Sequence, residues 1–274
     1  MLRKRVSAVS IHALLIIICI LMNLPFIWMI STSLKSKNET FADPPKWIPE
    51  KLRWDNYSAA WNAIPFGRFM FNSLFVSSMI TIGQLLICTL AAYSFAWVPF
   101  KGRDFLFYAF LGTMMVPFEM LVIPNYAMIR KLGLTDTYTA LIVPFLASAF
   151  TIFLLRQAFM TIPAELYDAA TIDGCGHLRY LFGIVVPLSK PGMLTAGMFT
   201  FLGHWNDYLW PLIVTNRPEY RTLQVGLTMF QSVWMTEWTH LMAASAIVTI
   251  PMIVMYIFVQ KNFVEGIATT GIKG

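Results

Sequence analysis

Six long stretches of the sequence carry almost no charge, and they constrain the fold more than any other feature. A membrane-spanning helix needs about 20 mostly apolar residues. The stretches are too long and too uniformly apolar for barrel strands, in which about ten residues alternate between apolar and polar. We therefore predict an all-α, polytopic membrane protein whose six transmembrane helices lie within residues 11–30, 69–97, 105–129, 138–159, 192–214 and 241–258.

The composition agrees with a chain that lies mainly in a bilayer. Hydrophobic residues make up 57% and charged residues 12% of its 274 residues, whereas about 25% of a soluble domain is charged. Six spans and their connections fill this length, so we expect a single transmembrane domain over residues 1–274. The net charge of +6 comes from scattered basic residues that form no stripe, which disfavours nucleic acid as a partner.

The basic N-terminus sets the expected orientation. Arg3, Lys4 and Arg5 precede the first apolar run, and such flanks usually stay in the cytoplasm. The run of 20 uncharged residues that follows exceeds the roughly 7–15 of a cleaved signal, so it should remain as the first span. An even number of spans then predicts a protein of the bacterial plasma (inner) membrane with both termini cytoplasmic. The 20 Lys and Arg residues divide equally between the two sides, so this orientation depends on the first flank.

Prolines and aromatic residues mark two further features. The stretch between the first two spans combines Pro44, Pro45 and Pro49 with tryptophans, which favours a segment at the level of the lipid headgroups. Prolines inside the spans each remove a backbone donor, which indicates either kinked packing or a translocation path. These are Pro117, Pro124, Pro144, Pro211 and Pro251.

A polar loop over residues 161–192 interrupts the apolar pattern between the fourth and fifth spans. Pro163 suits the first turn of a helix, and Glu165 and Asp168 place negative charge near its N-terminal end. Gly174 is expected to stop this helix, and Gly176 permits a reversal before a second amphipathic stretch. The loop is therefore predicted to fold as a helix, a glycine turn and a second helix.

Two segments of this loop match a family pattern. DAATIDG, followed by IVVPLSKPG, resembles the Glu-Ala-Ala (EAA) loop of the permeases of binding-protein-dependent ATP-binding-cassette (ABC) importers. That pattern is Glu-Ala-Ala, a glycine four residues after the second alanine, and an Ile-x-Leu-Pro run. Here an aspartate replaces the usual glutamate and Val186 replaces the usual leucine. The matching positions are Asp168, Ala169, Ala170, Gly174, Ile184 and Pro187.

The resemblance extends over nearly the whole chain. The segments TSLK, WNDYLWPLIV and the tail FVEGIATTGIKG are similar to carbohydrate importers, in particular to the maltose-type second permease. The resemblance implies the type I importer permease fold, a second permease subunit, an ABC ATPase dimer, an extracytoplasmic solute-binding protein and a sugar substrate. It also implies that the ATPase partners bind ATP and Mg, that this chain holds no cofactor, and that its tail reaches between the ATPases.

In this family the loop over residues 161–192 is the cytoplasmic coupling element. Closure of the ATPases would move it, and the membrane helices would then expose a central site first to one side and then to the other. Small alanine faces allow close docking, and the glycine turn fixes the angle of the docked helix. The residues implied to couple are Glu165, Asp168, Ala169, Ala170, Asp173, Gly174, Ile184 and Pro187.

Charged residues inside spans suggest where a substrate passes. Such residues are costly in a membrane and are functional candidates by default. Next to one of the two carboxylates, hydrogen-bonding groups alternate with aromatic faces, a mixture that suits a sugar. The predicted path residues are Glu119, Trp205, Asn206, Asp207 and Trp210. The alternatives are that Asp207 pairs with the partner subunit, that the tryptophans are interfacial anchors, and that Glu119 holds two kinked helices together.

Other functions have less support in the sequence. An ion-gradient-driven secondary transporter or channel is the alternative, but the chain has no convincing inverted repeat and no evident use for the loop. An enzyme is disfavoured because neither H-E-x-x-H nor G-x-S-x-G occurs, and without a Walker motif the chain should not hydrolyse ATP itself. Its three cysteines have the spacing of neither a disulfide framework nor a zinc site, so no metal is expected.

Overall fold

The computed structural model describes residues 2–231 and 236–270, and these residues form helices, turns and one isolated bridge. The last residues of the tail, 271–274, lie outside the described part. Three 3-10 turns and a π-turn, Leu181–Val185, connect the helices. The helices, in chain order, are α1 (Leu2–Ser33), α2 (Lys37–Thr40), α3 (Asp55–Ala63), α4 (Phe66–Trp97), α5 (Arg103–Thr113), α6 (Phe118–Lys131), α7 (Tyr138–Ile142), α8 (Ala149–Met160), α9 (Ala164–Ile172), α10 (His177–Tyr180), α11 (Val186–Leu188), α12 (Lys190–Trp205), α13 (Leu209–Val214), α14 (Leu223–Leu227) and α15 (Trp238–Thr270).

Three helical segments are long and apolar enough to cross a membrane alone: Ile11–Ser33, Phe66–Trp97 and Trp238–Gln260. Three further pairs of helices pass the same test together but are sharply bent. The bends are 92° between Arg103–Thr113 and Phe118–Lys131, 47° between Tyr138–Phe145 and Ala149–Met160, and 82° between His177–Leu188 and Lys190–Trp205. If each bent pair counts as one span, the described residues contain six spans, the number that the sequence predicts. The bounds of the fifth differ, because its bent pair begins at His177 within the polar loop rather than at residue 192.

Prolines lie at all three bends. Pro117 precedes α6 at the first, and Pro144 lies in the 3-10 turn before the second. Pro187 and Pro191 flank the third. A proline cannot donate the backbone hydrogen bond that continues a helix, which explains why the chain turns there. The other prolines predicted to disturb the spans are accommodated inside helices: Pro124, Pro211 and Pro251.

Contacts within the chain form two compact units. The first comprises residues 1–66 and 226–250. In it, the loop after α1 is held against the end of that helix by hydrogen bonds to main-chain groups. Asn56 donates to the carbonyls of Ser33 and Lys35, and the Ser33 hydroxyl bonds to that of Tyr57 at 2.8 Å. The amino group of Lys35 lies 3.9 Å from the ring centre of Trp28. The segment predicted at the headgroups is therefore folded against the C-terminal end of α1.

The second unit comprises residues 67–225 and, among the described residues of the tail, 251–270. Within it, the buried side chain of Gln84 on α4 closes the 47° bend. Its amide donates to the carbonyl of Phe145 at 2.6 Å, and its oxygen accepts from Thr151 at 2.7 Å and Thr200 at 3.0 Å. Helices α4, α8 and α12 thus share one polar junction near Pro144, which interrupts the backbone hydrogen bonds of the bent span. Because backbone groups inside a bilayer need partners within the protein, this junction makes the bend tolerable.

Near the N-terminal end of α4, Asn72 binds a loop that is distant in the sequence. Its side chain is fully buried and donates to the carbonyls of Glu219 and Arg221, each at 2.8 Å. Its oxygen accepts from the hydroxyl of Tyr138 at 2.7 Å. Both amide hydrogens and the amide oxygen of Asn72 therefore have specific partners, which fixes the loop relative to α4.

Three further hydrogen bonds complete this attachment. The carboxylate of Asp136 accepts from the backbone N–H groups of Asn216, at 2.5 Å, and Arg217, at 2.8 Å. Burial opposes ionisation, but these bonds and the charge of Arg217 outweigh it and lower the pKa of Asp136 below its ordinary value. The Ser73 hydroxyl accepts from the backbone N–H of Leu223 at 2.8 Å. We call Asn72, Ser73, Asp136 and Tyr138, with residues 215–223, the loop network.

Candidate coupling loop and polar segment

The loop over residues 161–192 folds as the sequence predicts, with a helix followed by a glycine turn. Helix α9 is preceded by Pro163 and capped by Asp173, and Gly174 has a left-handed backbone with φ of +72°. The backbone N–H of Cys175 bonds to the carbonyl of Ala170 at 2.8 Å, and that of Gly174 bonds to Thr171 at 3.0 Å. This pair of bonds is the Schellman motif, which satisfies the last carbonyls of a helix and reverses the chain.

The two alanines of the family pattern face in different directions. Ala170 is 7% exposed and packs into the core of its own unit, whereas its neighbour Ala169 is exposed. Consecutive residues of an α-helix point about 100° apart, so one alanine seats the helix and the other faces outward. We expected both alanines to serve docking. Instead, Ala170 makes an internal contact, and only Ala169 has a face free to contact another protein.

The outward face of α9 combines acidic groups with an apolar residue. Glu165, Asp168, Ala169 and Ile172 are all exposed, and they recur three or four residues apart, which places them on one stripe of the helix. Ile172 is 86% exposed. This face of α9 therefore presents a large apolar side chain beside carboxylates.

The second half of the loop contains an irregular turn. After α10, the chain makes the π-turn Leu181–Val185, which includes Ile184, and then the short helix containing Pro187. Ile184 is partly buried and Pro187 is exposed. Single π-turns often occur at functional positions in helices. The second amphipathic stretch is therefore present but not a uniform helix.

A cluster of aromatic rings, not anticipated from the sequence, lies beneath this loop. Trp97, at the end of α4, stacks on Tyr167 of α9 with ring centres 5.4 Å apart. The hydroxyl of Tyr93 is 3.0 Å from Nδ1 of His177. Tyr93 and Trp97 are four residues apart on one helix face, and this spacing was a signal available in the sequence.

The predicted path residues fall into buried and exposed sets. Trp205 is 1% exposed and stacks on Phe201, and Trp210 is buried and donates from its indole to the carbonyl of Ala140 at 2.9 Å. Asn206 is exposed and lies 3.4 Å from the amide of Gln224. In the described residues the tryptophans are thus packing groups of their own unit.

The two carboxylates lie in different surroundings. Asp207 follows α12, where its side chain accepts a long bond of 3.4 Å from the backbone of Trp210. Glu119 is exposed in the first turn of α6, directly after the 92° bend. Its neighbour Phe118 contacts Trp210, with ring centres 6.2 Å apart. The structure thus places these two segments of the predicted path against one another through aromatic rings.

Comparison with known proteins identifies the class of this chain. Residues 7–268 match the family described as "Binding-protein-dependent transport system inner membrane component". The chain belongs to this family. This permease is accordingly a multi-pass membrane protein and a transport subunit of a binding-protein-dependent ABC importer. In such importers a second permease, a separate ATPase and a solute-binding protein complete the system.

Individual relatives match the permease over almost its full length. It is 36% identical over 265 residues to the sn-glycerol-3-phosphate transport system permease protein UgpE of Yersinia pestis bv. Antiqua (strain Antiqua), with 93% of this chain and 94% of that protein covered. It is 33% identical over 252 residues to the sulfoquinovosyl glycerol transport system permease protein SmoH of Agrobacterium fabrum (strain C58 / ATCC 33970), with coverage of 91% and 88%.

A solved structure confirms the permease fold. A chain from the crystal structure of a bacterial ABC transporter involved in the import of the acidic polysaccharide alginate superposes with a TM-score of 0.83 at 25% identity. The match covers 94% of this permease and 97% of that chain. The importer permease fold expected from the resemblance is therefore confirmed.

Proposed function

We propose that this permease forms, with a second permease, the path by which a carbohydrate crosses the bacterial plasma membrane, with both of its termini in the cytoplasm. Relatives named for glycerol-3-phosphate and sulfoquinovosyl glycerol, and a structural match from an alginate importer, support a sugar or a sugar-derived polyol as the substrate. The basic N-terminal flank supports the orientation.

Coupling to the ATPases is proposed to occur through the outward face of α9. The observation that carries this proposal is the exposed stripe of Glu165, Asp168, Ala169 and Ile172, an apolar and acidic ridge suited to a groove on another protein. Ala170 seats the ridge and the turn at Asp173 and Gly174 fixes its end. Ile184 and Pro187 shape the second half of the loop. The ATPase dimer, rather than this chain, binds ATP and Mg.

For the substrate path, we propose that the polar groups line it while the tryptophans support them. Glu119 and Asn206 are exposed, and Asp207 is half-buried and accepts a hydrogen bond from the backbone of Trp210. Trp205 and Trp210 are buried behind this segment and set its position. This assignment gives the hydroxyl groups of a sugar hydrogen-bonding partners without requiring the buried rings to move.

Reconstitution of the complete transporter tests the function. The permease, its partner permease, the ATPases and the binding protein are placed in liposomes with candidate sugars, which a thermal-shift screen of the binding protein selects beforehand. We expect ATP hydrolysis that rises when loaded binding protein is added, with sugar accumulating inside. Proton-coupled flux through the permease alone, without ATP, would instead establish the secondary transporter.

Cysteine labelling tests the orientation of the loop. The three native cysteines, Cys19, Cys88 and Cys175, are first replaced by serine, and a single cysteine is then introduced at the exposed Ala169. In intact cells a membrane-impermeant maleimide should not label this cysteine, whereas in inverted vesicles from cells that lack the ATPase subunits it should. Labelling from outside intact cells would contradict both the orientation and the coupling role.

A further inference from the structure

The coupling loop is attached to α4 by stacked rings rather than by the chain itself. Trp97 stacks on Tyr167, with ring planes 29° apart, and meets Tyr180 edge to face, with ring centres 5.8 Å apart. Tyr167 and Tyr180 also meet edge to face at 5.1 Å. These three rings therefore hold both helical parts of the loop, α9 and α10, against the last turn of α4.

One directional bond is added to these ring contacts. The Tyr93 hydroxyl and Nδ1 of His177 are 3.0 Å apart, and the ring of His177 also stacks on Tyr167. By contrast, the hydroxyl of Tyr180 and the indole nitrogen of Trp97 are buried without a hydrogen-bond partner among the described residues. Those two residues contribute ring faces and edges, whereas Tyr93 contributes a hydrogen bond. We call Tyr93, Trp97, Tyr167, His177 and Tyr180 the ring cluster.

The spans that continue directly from the loop are poorly suited to carry its movement. The span before the loop has the 47° bend, and the span after it is reached only through the π-turn Leu181–Val185 of the loop and the 82° bend. In contrast, α4 is one helix of 32 residues without a break. The ring cluster therefore joins α9 directly to an unbroken helix, beside the apolar core contacts that Ala170 makes.

We propose that the ring cluster is the linkage that transmits movement of the coupling helix into α4, and that Tyr93 and His177 are positioning residues that set the angle between them. This inference rests on the proposed coupling function of the loop. Aromatic rings have few rotatable bonds and keep contact over a range of offset and edge-to-face arrangements, so they transmit displacement while tolerating small rotations. The bond between Tyr93 and His177 restricts that rotation.

Two tyrosine-to-phenylalanine substitutions form a matched test in the complete reconstituted transporter. Tyr93→Phe removes a hydroxyl that is hydrogen-bonded, whereas Tyr180→Phe removes one that is not. The readout is the amount of sugar imported per ATP hydrolysed. We expect Tyr93→Phe to lower this ratio by about three- to tenfold, the factor that corresponds to one net hydrogen bond. Tyr180→Phe should leave it unchanged.

Two further pairs separate transmission from folding. His177→Asn keeps a hydrogen-bonding atom close to the position of Nδ1 and should restore most of the ratio that His177→Ala loses. Trp97→Phe keeps a ring against Tyr167 and should be milder than Trp97→Ala. Co-purification of the ATPases with each variant monitors assembly, which should remain at the wild-type level because the outward face of α9 is unchanged.

The outcomes distinguish this inference from the function on which it rests. If the wild-type complex shows no uptake that depends on ATP and the binding protein, the proposed function fails. If the wild type transports but Tyr93→Phe and Trp97→Ala keep its coupling ratio, the linkage is wrong and the proposed function stands. If the variants lose ATPase subunits in proportion to uptake, the cluster is merely structural and the inference is overturned.

Discussion

The two ends of α4 are attached to their neighbours in different ways. Near its N-terminal end, Asn72 of the loop network donates to the carbonyls of Glu219 and Arg221, and Ser73 accepts from the backbone N–H of Leu223. Near its C-terminal end, the ring cluster provides stacked faces and the bond between Tyr93 and His177. Hydrogen bonds weaken steeply when misaligned, whereas ring contacts persist through small rotations.

This difference indicates a division of roles within one unit. The loop network fixes its segment in a single position, because a small shift would leave buried carbonyls without donors. The ring cluster keeps two elements in contact while their angle changes. A transporter that alternates between two conformations needs both properties, and here they lie at opposite ends of the same helix.

The largest expected effect is at the turn that ends α9. Gly174→Val should lower uptake by about tenfold or more, because non-glycine residues disfavour the left-handed backbone by about 1–2 kcal/mol and a β-branched residue fits it worst. The matched control is Gly176→Val, since Gly176 has φ of −73° and open space around it. Radiolabelled sugar uptake is measured at equal membrane levels. Equal activity of both variants would contradict a role for the turn geometry.

The next largest effect is expected on stability, and it tests whether the tryptophans of the polar segment pack the protein or contact the substrate. Trp205→Ala should cost about 3–5 kcal/mol of stability, because the side chain is 1% exposed and its removal leaves a cavity. Thermal unfolding in detergent and co-purification of partners should fall together with uptake. The exposed Asn206→Ala is the counterpart and should lower uptake with normal assembly. If Trp205→Ala lost transport alone, the ring would belong to the path itself.

A smaller effect tests the rigid end of α4. Asn72→Ala leaves two carbonyls and one hydroxyl without their partner, and each unsatisfied group costs about 1–3 kcal/mol before relaxation or water entry. The thermal midpoint of the purified protein should therefore decrease clearly. Asn62→Ala, at an exposed asparagine, should leave it unchanged. If both variants had the same thermal midpoint, the hydrogen bonds of Asn72 would not stabilise the protein as we predict.

The smallest effect concerns pH. Because the folded pKa of Asp136 is below its ordinary value of 3.8, its contribution to stability is present above that value. The contribution is lost as pH falls through the lower folded pKa. Asp136→Asn should remove this part of the acid sensitivity, so the gap between wild-type and variant thermal midpoints narrows as pH falls below about 4. A gap that is constant from neutral to acid pH would exclude the carboxylate as its source.

Much of the fold could be predicted because its signals are local. Uncharged runs predicted the spans, since the bilayer requires apolar length within one segment. Asp173 and Gly174 predicted the end of α9, because the preference of glycine for a left-handed cap depends on neighbouring backbone alone. Prolines indicated where spans are disturbed but not that the bends would reach 92° or 82°, since those angles depend on neighbouring helices.

The remaining features depend on contacts between distant parts of the chain. Trp97 and Tyr167 meet across 70 positions, which no local pattern records. The family pattern treats Ala169 and Ala170 alike, although the phase of the helix buries one and exposes the other. Likewise, the composition around Asp207 suited a sugar, but it did not reveal that Trp205 is enclosed by its own unit.

The continuity of α4 has a mechanical consequence. Twenty residues separate Ser73 from Tyr93, which at 1.5 Å per residue corresponds to about 30 Å of rod. If α4 tilts by about 10° about the loop network, the end that carries Tyr93 moves sideways by about 5 Å. A small movement of the coupling helix would thus be enough to change which side chains of α4 contact the neighbouring helices.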